Sequence, residues 1–256
     1  MAFFNKVLAS IGIGNSEVDT RLETDRYMPG DKVTGTVEIK GGSVEQKIDE
    51  IYLGVCTQYV KEVDDKKYTQ KAVMLKHRLN DAFTIGAGEM KNIPFTFDLP
   101  EDVPLTYGKT KVWIETGLDI KNAVDPSDED YIQIEPGPLV HSVLLGLTEL
   151  GFRLRQAENK AGSRRHHGAE PFLQEFEFVP VSGKYHGRLD ELEVTFLKSG
   201  QDAADLLIQV DRKARGLAGL FAEAMEMDET MVRSSVSRRD IPKMQETLDR
   251  IIERYA

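Results

Sequence analysis

The chain has one cysteine, Cys56, among 256 residues. With no second thiol an intramolecular disulfide is excluded, and no Cys-x-x-Cys pair is available for redox or zinc chemistry. Cys56 lies in an apolar alternating run and reads as a small β-sheet hydrophobe. Long hydrophobic runs are also lacking, since no stretch approaches the roughly 20 apolar residues that cross a bilayer. The segment Met1–Gly12 has no basic leader, and Asn5 and Lys6 interrupt its apolar stretch, which argues against a secretory signal. Positive charge is in deficit, with 33 basic against 43 acidic residues and a net charge of -10. That balance disfavours a nucleic-acid partner and leaves membrane contact peripheral at most. These absences point to the cytoplasm.

Catalytic signatures are missing as well. There is no Gly-x-Ser-x-Gly elbow, no phosphate loop and no zinc helix motif. His77, His141, His166, His167 and His186 are scattered. The rival reading, an enzyme using Asp and His in a cleft between lobes, therefore has no motif behind it, and no cofactor is expected. Adjacent His166 and His167 point to opposite sides of an extended chain without a third ligand at metal spacing, so a solvated basic loop over Ala161–Gly168 is expected. Asp128, Glu129 and Asp130 lack the calcium-loop spacing, and Asn122–Asp130 reads as an acidic loop.

What the chain does have is period-two alternation. After the Pro29-Gly30 turn, Val33, Gly35, Val37 and Ile39 fall on one face and Lys32, Thr34, Thr36, Glu38 and Lys40 on the other. The pattern recurs at Val18–Thr24, at Ile51–Tyr59, at Phe95 and Phe97, and at Val112–Ile120. It appears again at Phe172–Val179, Leu189–Leu197 and Leu206–Arg212. Many short strands separated by turns predict antiparallel sandwiches. Lys61–Tyr68 reads as an exposed hairpin.

Pro136-Gly137-Pro138 breaks the pattern, and helical spacing of Leu139, Val143, Leu144, Leu147 and Leu150 predicts a bridging helix over about 139–150. Phe3, Phe4, Val7, Leu8 and Ile11 form an amphipathic stripe stopped by Gly12 and Gly14. Such a short helix is marginal alone, so its stripe should be buried, by packing or by homodimer formation. A membrane-surface foothold is the alternative. Gly219–Met231 is rich in Ala, Glu and Met, which favours helix, and Asp240-Ile241-Pro242 reads as a helix start. The expected organisation is a helix over 1–15, a first lobe over 16–136, a second lobe with the bridging helix over 137–218, and a helical segment over 219–256.

The residues Tyr27-Met28-Pro29-Gly30-Asp31, Ile93–Pro100 and Leu118-Asp119-Ile120 with Asp130-Tyr131-Ile132 resemble the amino lobe of arrestin-like proteins. Gln174-Glu175-Phe176-Glu177-Phe178, Leu189–Val194 and Val210–Gly216 narrow the likeness. Together they resemble the bacterial sporulation-control family first named in bacilli, over nearly the whole chain. The resemblance implies a mainly β protein with two arrestin-like antiparallel β-sandwich lobes. It also implies a non-enzymatic regulatory or scaffold role, through protein partners, in control of sporulation or cell development, and no cofactor. The membrane-surface adaptor is the alternative role.

Arrestins hold a buried polar cluster between their lobes. No residue-by-residue match to it exists here. The candidates are charges near the expected lobe junction: Asp119 and Asp125, Arg153 and Arg155, and Asp211 and Arg212.

Overall fold

The computed structural model of the protein describes residues 16–64, 66–79, 81–120, 125–161, 171–200, 202–213 and 229–256. The expected N-terminal helix with Phe3, Phe4, Val7, Leu8 and Ile11, and the pair His166 and His167, lie outside the described residues. The chain is mainly β, with antiparallel sheets and few helices among the described residues. It divides into two compact units.

The first unit comprises Met1–Thr57, Lys71–Val103 and Lys111–Ile134. It contains β1 (Glu17–Leu22), β2 (Arg26–Tyr27), β3 (Lys32–Lys40), most of β4 (Gln46–Val63), most of β5 (Lys66–Arg78), β6 (Phe83–Ile85), β7 (Met90–Asp98), β8 (Val112–Ile120) and β9 (Ser127–Ile134). One sheet runs β1-β3-β7; the other runs β4-β8-β9-β2, with β5 and β6 also on β4. Gly30 takes φ 82°, and Asp31 N–H donates to Met28 C=O at 3.0 Å, so Pro29-Gly30 makes the turn into β3.

Val33, Val37 and Ile39 of β3 are fully buried, as are Ile51, Leu53 and Val55 of β4 and Ile114 and Leu118 of β8. Each such side chain contributes about 1.5–3 kcal/mol of burial. Thr20 of β1 ties the sheets together. Its amide donates to Asp128 Oδ2 at 2.8 Å, and its hydroxyl lies 2.6 Å from that of Thr116.

The structure departs from the sequence expectation in two places here. Ser127–Asp130 of the expected acidic loop is strand, because β9 pairs along β8 from Ser127 to Ile132. The centre of β4 is also buried on both faces, with Gly54 and Cys56 covered as well as Leu53 and Val55, so it has no wet side.

The second unit comprises Gln58–Gln70, Pro104–Thr110 and Glu135–Ala256. Its sheet orders β14 (Glu229–Ser237), β13 (Ala203–Arg212), β12 (Leu189–Ser199), β11 (Phe172–Pro180) and β10 (Phe152–Ala161), all antiparallel. The end of β4 meets β10 at Val60 and Lys160. Phe176, Phe178, Leu192, Val194, Ile208 and Val210 are buried on the inner face.

The bridging helix runs Pro138–Glu149, with proline in its first turn, and Gly151 follows at φ 93°. Its neighbour, the C-terminal helix Met244–Ile252, buries Met244, Leu248 and Ile252. Gly146 makes this contact close, since a Cβ there would lie 3.0 Å from Leu248 Cδ1 and 3.2 Å from Gln245 N. The buried Tyr185 donates its hydroxyl to Asp249 Oδ1 at 2.8 Å, and Lys184 Nζ pairs with Asp249 at 2.8 Å and Glu253 at 2.9 Å.

Two expectations for this segment are corrected. Glu229–Met231, read as helical from composition, is the start of β14, where pairing with Asp211–Gln209 of β13 outweighs a weak helix preference. Asp240 does not begin the helix. Ser237 N and Oγ both donate to Asp240 Oδ2 at 2.8 Å, Arg238–Lys243 forms a 3-10 turn containing Pro242, and the α-helix starts at Met244.

Candidate functional site

The alternation in Gln174–Phe178 puts Gln174, Phe176 and Phe178 on the inner face of β11 and Glu175 and Glu177 on the outer face. The inner side of this motif holds two distant segments. Gln174 Oε1 accepts from Leu105 N–H at 2.8 Å, and its Nε2 donates to Leu105 C=O at 2.6 Å and Thr110 Oγ1 at 3.2 Å. Asn159, opposite Gln174 on β10, donates to Gln58 C=O at 2.9 Å. Tyr107 meets Phe176 edge-on at 5.9 Å, and Tyr59 stacks on Phe172 at 5.7 Å. Amide and aromatic contacts thus draw Gln58–Gln70 and Pro104–Thr110 onto this unit.

The outer side is a charge ladder across β10, β11, β12 and β13. Register sets Gln156 opposite Glu177, Glu158 opposite Glu175, Glu177 opposite Glu193, and Glu191 opposite Asp211. Arg155 follows inward Leu154 and so faces outward, unpaired at a register shift that sets Gln156 opposite Glu177, and its guanidinium pairs with both Glu177 and Glu191. Lys160 pairs with Glu175. Burial works against the Lys160 charge. The bond to Glu175 and the nearby Glu193 and Glu158 carboxylates nevertheless hold its ammonium above the usual lysine value.

Glu193 is pushed up to about 7, first by burial and then by Glu175, with Lys160 opposing and Glu191 adding. Glu158, Glu175, Glu177, Glu191, Glu193 and Asp211 are all half-buried, unlike ordinary surface carboxylates. The face therefore presents fixed carboxylates, held in place by Arg155 and Lys160, to cationic groups in solution.

The structure brings together only some of the residues predicted from sequence. Arg153, Arg155 and Asp211 lie on the second unit's sheet, and Glu191 links the last two by ion pair and register. Arg153 is exposed opposite Val179, and Arg212 is exposed at the end of β13 opposite Leu189. Asp119 and Asp125 belong to the first unit. Asp119 is exposed opposite Glu50, and Asp125 Oδ1 accepts from Ile120 N–H at 2.9 Å. Sequence reasoning missed Gln174, Lys160 and Glu193 as a group. The alternation in the motif exposes their faces, but the pairing across strands has no local signal.

Among the described residues no group of three His, Cys, Asp or Glu side chains could hold a metal ion. No described helix is long and apolar enough to cross a membrane. Burial pushes the Cys56 thiol up to about 11, which leaves it a poor nucleophile.

The family model described as SpoOM protein matches residues 4–214. The chain is 43% identical over 262 residues to the sporulation-control protein spo0M of Bacillus subtilis (strain 168), covering 100% of both chains. It is similar to the crystal structure of Spo0M from Bacillus subtilis, with a TM-score of 0.84 and 39% identity, over 95% of this chain and 100% of that one. The two β-rich units, the family model over residues 4–214 and the relative matched along both full lengths agree: the chain belongs to the Spo0M sporulation-control family.

Proposed function

We propose that this protein is a non-enzymatic, arrestin-like regulator that acts in the cytoplasm by binding protein partners in control of sporulation or cell development. The observation that carries the reading is the 43% identity over both full lengths to a protein named for sporulation control. The half-buried charge ladder on the second unit supports a binding role. Its carboxylates are oriented by Arg155 and Lys160, as recognition of a partner requires. Self-association through Phe3, Phe4, Val7, Leu8 and Ile11 belongs to the same proposal, with light scattering of the chain with and without residues 1–14 as its check.

The test is genetic and biochemical together. Deleting the gene in its own organism should change sporulation or developmental timing, and the wild-type gene should restore it. Cross-linked capture from the native cytoplasm should yield a partner that an Arg155→Glu variant loses while remaining folded. A deletion strain that develops like its parent would refute the regulatory reading. A folded Arg155→Glu variant with the same partners would remove the ladder from it.

A further inference from the structure

We propose that Glu193, Glu175 and Lys160 form a proton-linked charge switch on the outer face of the second unit's sheet. The three residues sit on β12, β11 and β10, side by side on one face. Lys160 donates to Glu175. Glu193 stands directly opposite Glu177 and diagonally across from Glu175 on that face, and these two carboxylates are already engaged by Arg155 and Lys160. Carboxylates placed this close on a half-buried face disfavour a further ionised carboxyl among them. Glu193, half-buried beside Glu175 and Glu177, is the carboxyl that takes up the proton.

The surrounding charges keep it there. Glu175 and Glu177 face Glu193 from β11, Glu158 and Arg155 from β10, and Asp211 from β13, while Glu191 precedes it on its own strand. Its direct neighbour on β13 is the uncharged Gln209. Arg155 is taken up by Glu177 and Glu191. Burial and the Glu175 carboxylate then hold the Glu193 acid up to about 7.

A raised carboxyl contributes stability that is fully present below its unfolded value and is lost as pH rises through its folded one. The face therefore gains a negative charge, and the sheet loosens, as pH climbs through neutrality. A cation placed beside Glu193 competes with the same proton, so binding of such a group expels it.

The experiment uses the isolated full-length protein, so its outcome is independent of any partner. Carbon-detected NMR follows the Glu193 carboxyl against pH, with Glu193→Gln providing the assignment. Thermal unfolding is measured in parallel at about pH 6 and about pH 8. The Glu193 carboxyl should titrate well above a free glutamate. The wild type should gain several-fold in its folding constant on going to the lower pH, a component that Glu193→Gln lacks. Lys160→Met should move the titration of Glu193 higher still. A Glu193 midpoint in the ordinary carboxylate range would overturn the proposal, and so would a Glu193→Gln variant with an unchanged response to pH.

Discussion

Replacing Gln174 by leucine should uncouple Pro104–Thr110 from the sheet of the second unit. Leucine nearly conserves the volume and removes every hydrogen bond of the amide. Leu105 N–H then loses its partner at 2.8 Å, Leu105 C=O loses the bond at 2.6 Å and keeps only Tyr107 N–H at 2.8 Å, and Thr110 Oγ1 loses a partner at 3.2 Å. A buried main-chain group left unpaired costs about 1–3 kcal/mol. The site is only part-buried, so the low end applies to Leu105 N–H, and with the weaker bonds lost at Leu105 C=O and Thr110 Oγ1 the total is about 1–2 kcal/mol. Urea unfolding reads this loss, and hydrogen exchange at the Leu105 amide locates it.

Gln174→Glu sharpens the test. The introduced carboxylate accepts from Leu105 N–H but faces Leu105 C=O with no proton to donate, so its folded pKa rises above the unfolded value. Its stability is present at acid pH and is lost as pH rises, and acidification should rescue part of the loss in this variant alone. A Gln174→Leu protein within about 0.5 kcal/mol of wild type, the range of an ordinary surface change, with the Leu105 amide equally protected, would refute the clamp.

Asp130 is held up to about 6 by burial, Asp128 and Asp19, so its ionised form opposes folding at neutral pH. Asp130→Asn should stabilise the protein by about 1 kcal/mol or less at pH near 7.5, after allowance for solvent screening, and the gain should fall away as pH drops from about 6 to below about 4, as measured by melting. Cys56, buried with its thiol up to about 11, should resist alkylation at neutral pH until denaturant is added, as read by mass spectrometry. Gly146→Leu should force the C-terminal helix off the bridging helix, since even a Cβ there meets Leu248 at 3.0 Å. Limited proteolysis should then cut within Met244–Ile252 first, whereas Gly146→Ala should be far milder because the flexible Leu248 tip can yield.

Much of the fold was legible locally. The alternation of Lys32–Lys40 reports a strand with one apolar face, and Val33, Val37 and Ile39 are buried. Pro136-Gly137-Pro138 and the Leu139–Leu150 stripe placed a helix that is found at Pro138–Glu149. Steric limits on proline and glycine and the periods of strand and helix act within a few residues, so they can be read without knowing any partner.

Tertiary structure decided what depends on distant partners. Glu229–Met231 pairs as strand because β13 offers a complete ladder, which composition cannot anticipate. Gln58–Gln70 and Pro104–Thr110 belong to the second unit although flanked in sequence by the first, through Asn159, Gln174, Tyr59 and Tyr107. Arg155 could be picked out from sequence as a charged residue near a junction. Its partners Glu177 and Glu191, and the company of Lys160 with Glu175 and Glu193, follow from strand register alone. Register is set by the packing of whole sheets, and a slip of one residue would send each of these side chains to the opposite face.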